Sequence, residues 1–250
     1  MTPALLLDFL KADGNILLGL SSESATPNAI VSLLLELDIH LPTDRNSLVV
    51  DHFHHDTLTG GETHDVLLVP APKPIRNDVN NFFGSDTGVL AVPRAVGQAL
   101  GAASALLAPI LSAPATAYTY NPKEDASEGI EDVFGVGAQL ALVSAMQARN
   151  SARFTVLGSA EMLEDRWFEA TVRGLTGGEV VTGNKQFAAS LSGWAFKELG
   201  VLKVGSVRHY LNEPQGTSSA PNATFLGQSA LSPKIYRIKN DVVRNVPFCS

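Results

Sequence analysis

Short apolar runs with no polar interruption recur along this chain, and most of them stop abruptly at a Ser, Asp, Pro or Gly. Ile16-Leu17-Leu18-Gly19-Leu20 runs into Ser21-Ser22, Ser47-Leu48-Val49-Val50 into Asp51-His52, Asp65-Val66-Leu67-Leu68-Val69 into Pro70, and Val89-Leu90-Ala91-Val92 into Pro93. Runs of this length with branched residues and turn-forming ends read as buried strands. Between them lie stretches with helical spacing. Thr26-Pro27 is a helix start, Thr26 as N-cap and Pro27 at the first helical position, and Ile30, Val31, Leu33, Leu34, Leu35 and Leu37 follow. Over 184–199 the residues Phe187, Leu191, Trp194, Ala195, Phe196 and Leu199 repeat at helical intervals, with Asn184 placed to cap and Gly200 placed to stop the helix. A strand from Val201 to Val207 comes next.

Two longer stretches are apolar on every side. Residues 138–148 predict a fully buried helix, stopped at Arg149-Asn150-Ser151, before the strand Phe154-Thr155-Val156-Leu157 and Gly158-Ser159. Arg149 suits the negative end of such a helix, and Asn150 tolerates the left-handed turn that ends one. Ala95 to Tyr118 lies in the longest uncharged run, long enough in principle to span a bilayer, but rich in Ala, Gly and Ser and interrupted by Pro109 and Pro114. A buried helix followed by a strand is the more economical reading. Met1 to Lys11 lacks the basic start and small-residue cleavage site of a signal peptide and reads as the end of a helix.

Strands alternating with helices imply an α/β fold whose mostly parallel sheet is covered by helices on both faces. Because the chain opens in mid-helix, the sheet is expected to begin upstream of Met1. Texture changes after His209: the segment NEPQGTSSAPNATFLGQSALSP is rich in Pro, Ser, Asn and Gly. The expected organisation is therefore an α/β domain over 1–210, truncated at its N-terminal side, a linker over 211–234, and the first strand of an incomplete β-rich segment over 235–250.

Composition narrows the functional classes. The chain has 250 residues, 45% hydrophobic and 17% charged, so it is globular, and its formal charge of −7 without a Lys/Arg cluster argues against nucleic-acid partners. A single cysteine, Cys249, excludes an intrachain disulfide framework.

The candidate chemistry is sparse. Asp51-His52-Phe53-His54-His55-Asp56, with His64 close behind, is the densest cluster of ligating side chains. His52, His54 and Asp56 resemble the start of the HxHxDH zinc motif of metallo-β-lactamases, so a metal-dependent hydrolase is one alternative; Thr57 stands where that motif needs its last histidine. Gly158-Ser159-Ala160-Glu161 approximates a nucleophile elbow without its second glycine, and Ser159 suits better the N-cap of a helix from Glu161 to Phe168. Gly135-Val136-Gly137-Ala138-Gln139-Leu140 has two of the three glycines of a dinucleotide fingerprint, and no P-loop is present. Ser21, Ser22, Asp51, His52 and Ser159 all fall at the carboxyl ends of predicted parallel strands, where such folds bind ligands. A small-ligand or glycan-binding module is the second alternative. Asn222-Ala223-Thr224 is an N-glycosylation sequon in the expected linker.

Several phrases in order resemble one family. They are Gly14-Asn15-Ile16-Leu17-Leu18 with Ser21-Ser22, Val49-Val50-Asp51-His52, Ala115-Thr116-Ala117-Tyr118-Thr119-Tyr120, Gln147-Ala148-Arg149-Asn150-Ser151-Ala152-Arg153, and Trp194-Ala195-Phe196-Lys197-Glu198-Leu199-Gly200-Val201-Leu202 with Val204-Gly205. The ordered set is similar to the 48-kilodalton, wheat-germ-agglutinin-binding subunit family of oligosaccharyltransferase. The resemblance implies a flavodoxin-like α/β lumenal domain followed by β-rich structure. It further implies a non-catalytic role in a complex of the endoplasmic reticulum membrane, which transfers a preassembled glycan from dolichyl diphosphate to Asn in Asn-x-Ser/Thr. Implied partners are the catalytic subunit, a ribophorin- or Swp-type subunit and a small DAD-type membrane subunit. No catalytic residue, cofactor or metal is implied for this chain, and the family's C-terminal membrane helix has no counterpart in it.

Overall fold

The computed structural model describes residues 2–44, 46–59, 63–73, 83, 88–102, 104–122, 133–175 and 177–201, and the backbone of 235–239 and 242–246. Two compact units divide the chain, Met1–Gly200 and Val201–Ser250. In chain order the first contains α1 (Pro3–Lys11), β1 (Ile16–Gly19), α2 (Asn28–Glu36), β2 (Ile39–His40), β3 (Leu48–Val50), β4 (Val66–Pro70), β5 (Val89–Pro93), β6 (Gln98–Leu100), β7 (Leu107–Ser112) and β8 (Tyr118–Tyr120). It continues with β9 (Leu140–Gln147), β10 (Arg153–Leu157), the short α3 (Asp165–Phe168), β11 (Thr171–Val172), β12 (Val180–Val181) and α4 (Asn184–Ala195). In the second unit β13 (Ile235–Lys239) and β14 (Val242–Val246) form an antiparallel hairpin, where the sequence suggested a first strand alone.

The fold is mixed α/β, but its sheet is not the mostly parallel one expected. Among the described residues the main sheet runs β1-β10-β9-β6-β2, with β7 also paired to β9, and only β1 and β10 are parallel, from Ile16 opposite Phe154 to Gly19 opposite Leu157. The cause is local. Leu140–Gln147 is a strand, not the buried helix its composition suggested, and it returns as β10 through a hairpin at Ala148–Ala152. There Ala148 N donates to Ala152 O at 2.8 Å, Ser151 N donates to Ala148 O at 2.9 Å, and the left-handed residue is Ser151 (φ 69°), not Asn150. A strand buried on both faces has no apolar period, so sequence pattern could not separate it from a buried helix.

The same ambiguity explains the second correction. Residues 95–118 hold strands β6 and β7 and the start of β8, and no helix among the described residues. Pro109 lies in β7, whose only strand partner among the described residues is β9, with a register irregularity between Pro109 and Leu111. That is where proline is tolerated in a sheet. Smaller differences concern caps. α2 begins at Asn28 with Pro27, not Thr26, in the cap position, α4 is preceded by Gly183 and ends at Ala195, and Ser159 caps no helix: a 3-10 turn, Glu161–Leu163, stands ahead of α3. The expected strand beyond Val201 and the linker at 211–234 lie outside the described residues.

Two apolar clusters flank the sheet. Side chains alternate along a strand, so Ile16 and Leu18 of β1, with Phe154 and Val156 of β10, pack with Leu10 of α1 and Leu33 and Leu34 of α2. Leu17 and Leu157 belong to the other cluster, with Leu140 and Leu142 of β9 and Phe187 and Leu191 of α4. β4 and β5 pair antiparallel and contribute Leu67, Val69, Leu90 and Val92 to that second cluster. The buried Asn184 ties α4 to β5: its side-chain oxygen accepts from Ala91 N at 2.9 Å, and its amide donates to Ala91 O at 2.8 Å and Met162 O at 3.2 Å. This imitates a strand pairing, so the residue expected to cap the helix anchors it instead.

Candidate functional site

The histidine segment after β3 is a folded loop held by its carboxylates. Asp51 is fully buried. Its Oδ1 accepts from Phe53 N at 2.8 Å and His54 N at 3.1 Å, and its Oδ2 accepts from Thr116 Oγ1 at 2.7 Å, with His54 Nδ1 at 3.2 Å. Burial by itself would raise its pKa, but these hydrogen bonds together outweigh it and hold the carboxyl below the ordinary aspartate range. Asp56 is used likewise. Its Oδ1 accepts from Arg173 N at 2.7 Å and Leu58 N at 3.2 Å, and its Oδ2 from the backbone and hydroxyl of Thr59. Burial again pushes its pKa up, and the hydrogen bonds again exceed that effect and lower it.

The three residues of the zinc-like motif therefore do not converge. His52 Nδ1 lies 2.5 Å from His64 Nδ1 and its Nε2 lies 2.8 Å from the Tyr118 hydroxyl; His54 faces Asp51 and Thr116; Asp56 clasps the backbone of Arg173. Among the described residues no group of three or more His, Cys, Asp or Glu is placed to hold a metal ion. What the loop does bring together is a stack of rings, with the buried His55 lying on His64 at 4.1 Å and His52 edge-on to His64 at 4.7 Å, while Phe53 is exposed to solvent.

The proposed strand-end crevice is only partly assembled. Ser21 and Ser22 follow β1 and Ser159 follows β10, its parallel neighbour, so these three share an edge; Asp51 and His52 follow β3, which pairs with β8 in a separate small sheet. The Ser159 hydroxyl is buried and has no hydrogen-bond partner among the described residues, and Ser21 Oγ accepts from Glu23 N. Gly135 precedes and Gly137 opens a 3-10 turn, Gly137–Gln139, which leads into β9, so no α-helix N-terminus is available there for a pyrophosphate. Asn222 lies outside the described residues.

A cleft that no sequence motif marked lies beside this edge. It has a volume of about 450 Å³ and is lined by Thr59, Thr63, Asp65, Val66, Pro93, Arg94, Glu161, Arg166, Trp167 and Ala170. At its centre Glu161 is divided between two guanidiniums: Arg94 reaches Oε1 through Nε (2.9 Å) and Nη2 (2.7 Å), and Arg166 Nη2 reaches Oε2 (2.8 Å). Glu23 and Glu164 pair with the outer sides of the same arginines. The Glu161 hydrogen bond raises the Arg94 pKa further. Arg94 occupies a left-handed backbone conformation (φ 45°), uncommon for a residue with a side chain, and its N–H donates to Asp65 O at 2.8 Å.

The comparisons with known proteins decide the family. A family model described as OST48, N-terminal domain, matches residues 1–198. The chain belongs to the OST48 family. Curated relatives named dolichyl-diphosphooligosaccharide–protein glycosyltransferase 48 kDa subunit include those of Danio rerio (31% identical over 218 residues, 86% of this chain and 47% of the relative) and Drosophila melanogaster (32% over 209 residues, 82% and 45%). The Arabidopsis thaliana protein of the same name is 30% identical over 242 residues, 94% of this chain and 49% of the relative. The chain thus spans about half the length of the curated relatives it matches.

The two phrases that carry the OST48 resemblance most specifically meet in space. Arg153, from QARNSAR, is buried and sends its guanidinium to the end of α4, the WAFKELG phrase. Nη1 donates to Trp194 O and to Leu199 O (2.8 Å), Nη2 donates to Gly200 O (2.7 Å), Nε faces Gln147 Oε1 (3.3 Å), and the charge lies 4.5 Å from the Trp194 ring centroid. Burial pulls the Arg153 pKa down. Asn150 of the same phrase donates to Leu10 O (2.8 Å) and Lys11 O (3.2 Å), closing the last turn of α1. In this member of the OST48 family these residues therefore hold the ends of helices against the β9–β10 hairpin.

Proposed function

We propose that this chain is part of a non-catalytic subunit of the oligosaccharyltransferase complex, working in protein N-glycosylation by holding other subunits in place. Family membership over residues 1–198 carries the reading, together with relatives whose names describe a glycosyltransferase subunit. Within the domain, Asp51, Asp56, Arg153 and Asn184 are each committed to backbone groups of neighbouring segments. The partners proposed are the catalytic subunit, a ribophorin- or Swp-type subunit and a DAD-type small membrane subunit. The setting proposed is the endoplasmic reticulum membrane, with this domain on the lumenal side. No helix of the described residues is long and apolar enough to cross a membrane. In a lumenal setting the sequon Asn222-Ala223-Thr224 is a candidate glycosylation site.

Depletion of the native gene product in its own cell tests the proposal. Glycoproteins should then lose whole glycans and gain gel mobility in steps, and re-expression should restore them. Unchanged occupancy of Asn-x-Ser/Thr sites after complete depletion would remove the reading.

A further inference from the structure

The cleft around Glu161 has features that scaffolding does not require. Its charged lining balances, with Arg94 and Arg166 against Asp65 and Glu161. Counting Glu23 and Glu164 outside it, acids exceed arginines, so an anion is repelled; the two guanidiniums in turn disfavour a cation. One wall is apolar, made by Val66, Pro93, Ala170 and Trp167, with the Arg166 guanidinium 5.6 Å from the Trp167 ring centroid. Trp167 lines the cleft and is largely buried, and its indole N–H is turned away from solvent. Arg94, in its strained left-handed conformation, is the kind of backbone outlier that gathers at binding sites.

We infer that this cleft binds a neutral polyhydroxylated ligand, one or two sugar units, between Asp65, Arg94, Glu161, Arg166 and Trp167. Hydroxyls both donate and accept, so a vicinal pair can bridge a guanidinium and the carboxylate beside it without a charge being left over. A ring face of C–H groups suits the apolar wall. The volume lies within the range of small-molecule sites. Strand addition by an extended peptide is disfavoured because it needs an open strand edge. The backbone here is already used: Arg94 N donates to Asp65 O, Asp56 N donates to Val66 O, and β4 is paired with β5.

The test uses the full chain and the indole N–H resonances of its two tryptophans. Trp167→Phe assigns them. Titration with neutral disaccharides of glucose, galactose, mannose and N-acetylglucosamine should move the Trp167 resonance saturably with at least one of them and leave Trp194 in place. Arg166→Gln, an exposed position, should weaken that binding about tenfold at unchanged stability. No movement of Trp167 by any of them up to about 50 mM overturns the inference, as does binding indifferent to Arg166→Gln. Tighter binding of glucuronate overturns the neutral class, and tighter binding of a capped dipeptide overturns the polyol class. Each of these failures leaves the subunit proposal standing, because that rests on the family match.

Discussion

Arg153 offers the sharpest quantitative test of how this domain is held together. Replacing it with Met keeps most of the length and removes the guanidinium, taking that donor from the carbonyls of Leu199 and Gly200 and leaving Trp194 O with Lys197 N alone. Hydrogen bonds from a charged group contribute about 1.5–3 kcal/mol each. They do not add fully, because Met also escapes the cost of burying a charge. A net loss of about 3 kcal/mol follows, comparable to other single changes that break a buried polar network. A lysine at this position would retain charge but not the planar fork that serves three carbonyls at once, so Arg153→Lys should lose about 2 kcal/mol. Urea unfolding followed by far-ultraviolet circular dichroism measures both, read as a shift in midpoint at constant slope. For about 200 residues a 3 kcal/mol loss also lowers Tm by roughly 6–12 °C. Hydrogen exchange should locate the damage at residues 196–200. An Arg153→Met variant within about 1 kcal/mol of the parent, the precision of such extrapolations, would refute the reasoning.

Other substitutions probe other joints. Asn184→Ala should lose about 2–4 kcal/mol by orphaning buried partners on Ala91 and Met162, and Asn184→Asp should be worse, since it sets a carboxylate against two carbonyls; equal midpoints for the two would contradict the assigned amide orientation. Gly158→Ala places a methyl 2.5 Å from Val96 O and 2.9 Å from Leu142 O, both backbone atoms, and should lower Tm measurably in a thermal scan. Asp51 and Asp56 have folded pKa values below the ordinary 3.8, so the unfolded chain binds protons first on acidification. The stability they contribute is complete above that value and is lost as pH falls through the folded values. Asp51→Asn should therefore be less stable than the parent at neutral pH but lose less on acidification below the ordinary aspartate pKa in urea titrations.

Much of the local structure was legible, and its failures share a cause. β1, β3, β4, β5 and β10 each show branched residues ended by a turn former, and α4 shows an amphipathic stripe. β9 and residues 95–118 did not, because a segment buried on all sides carries no period to read. That one misreading turned a hairpin into a helix-to-strand unit, and so an antiparallel pair into an expected parallel sheet. The histidine loop was found as a cluster of ligating residues, but the sequence could not show that Asp51 and Asp56 face backbone donors rather than each other. The Glu161 cleft was invisible for another reason. Asp65, Arg94 and Glu161 are far apart along the chain, and each is ordinary in its own neighbourhood; Arg94 directly after the Pro93 that ends β5 was the only local hint.

A subunit that works by holding its neighbours has to be found with them. Solubilising microsomal membranes of the native host in mild detergent, and purifying the chain through an affinity tag placed on its own gene, measures that directly. The prediction is co-purification of a polytopic glycosyltransferase in near-equal amount, with glycan transfer activity in the eluate. Recovery of the chain alone, with all transfer activity left in the flow-through, would contradict it.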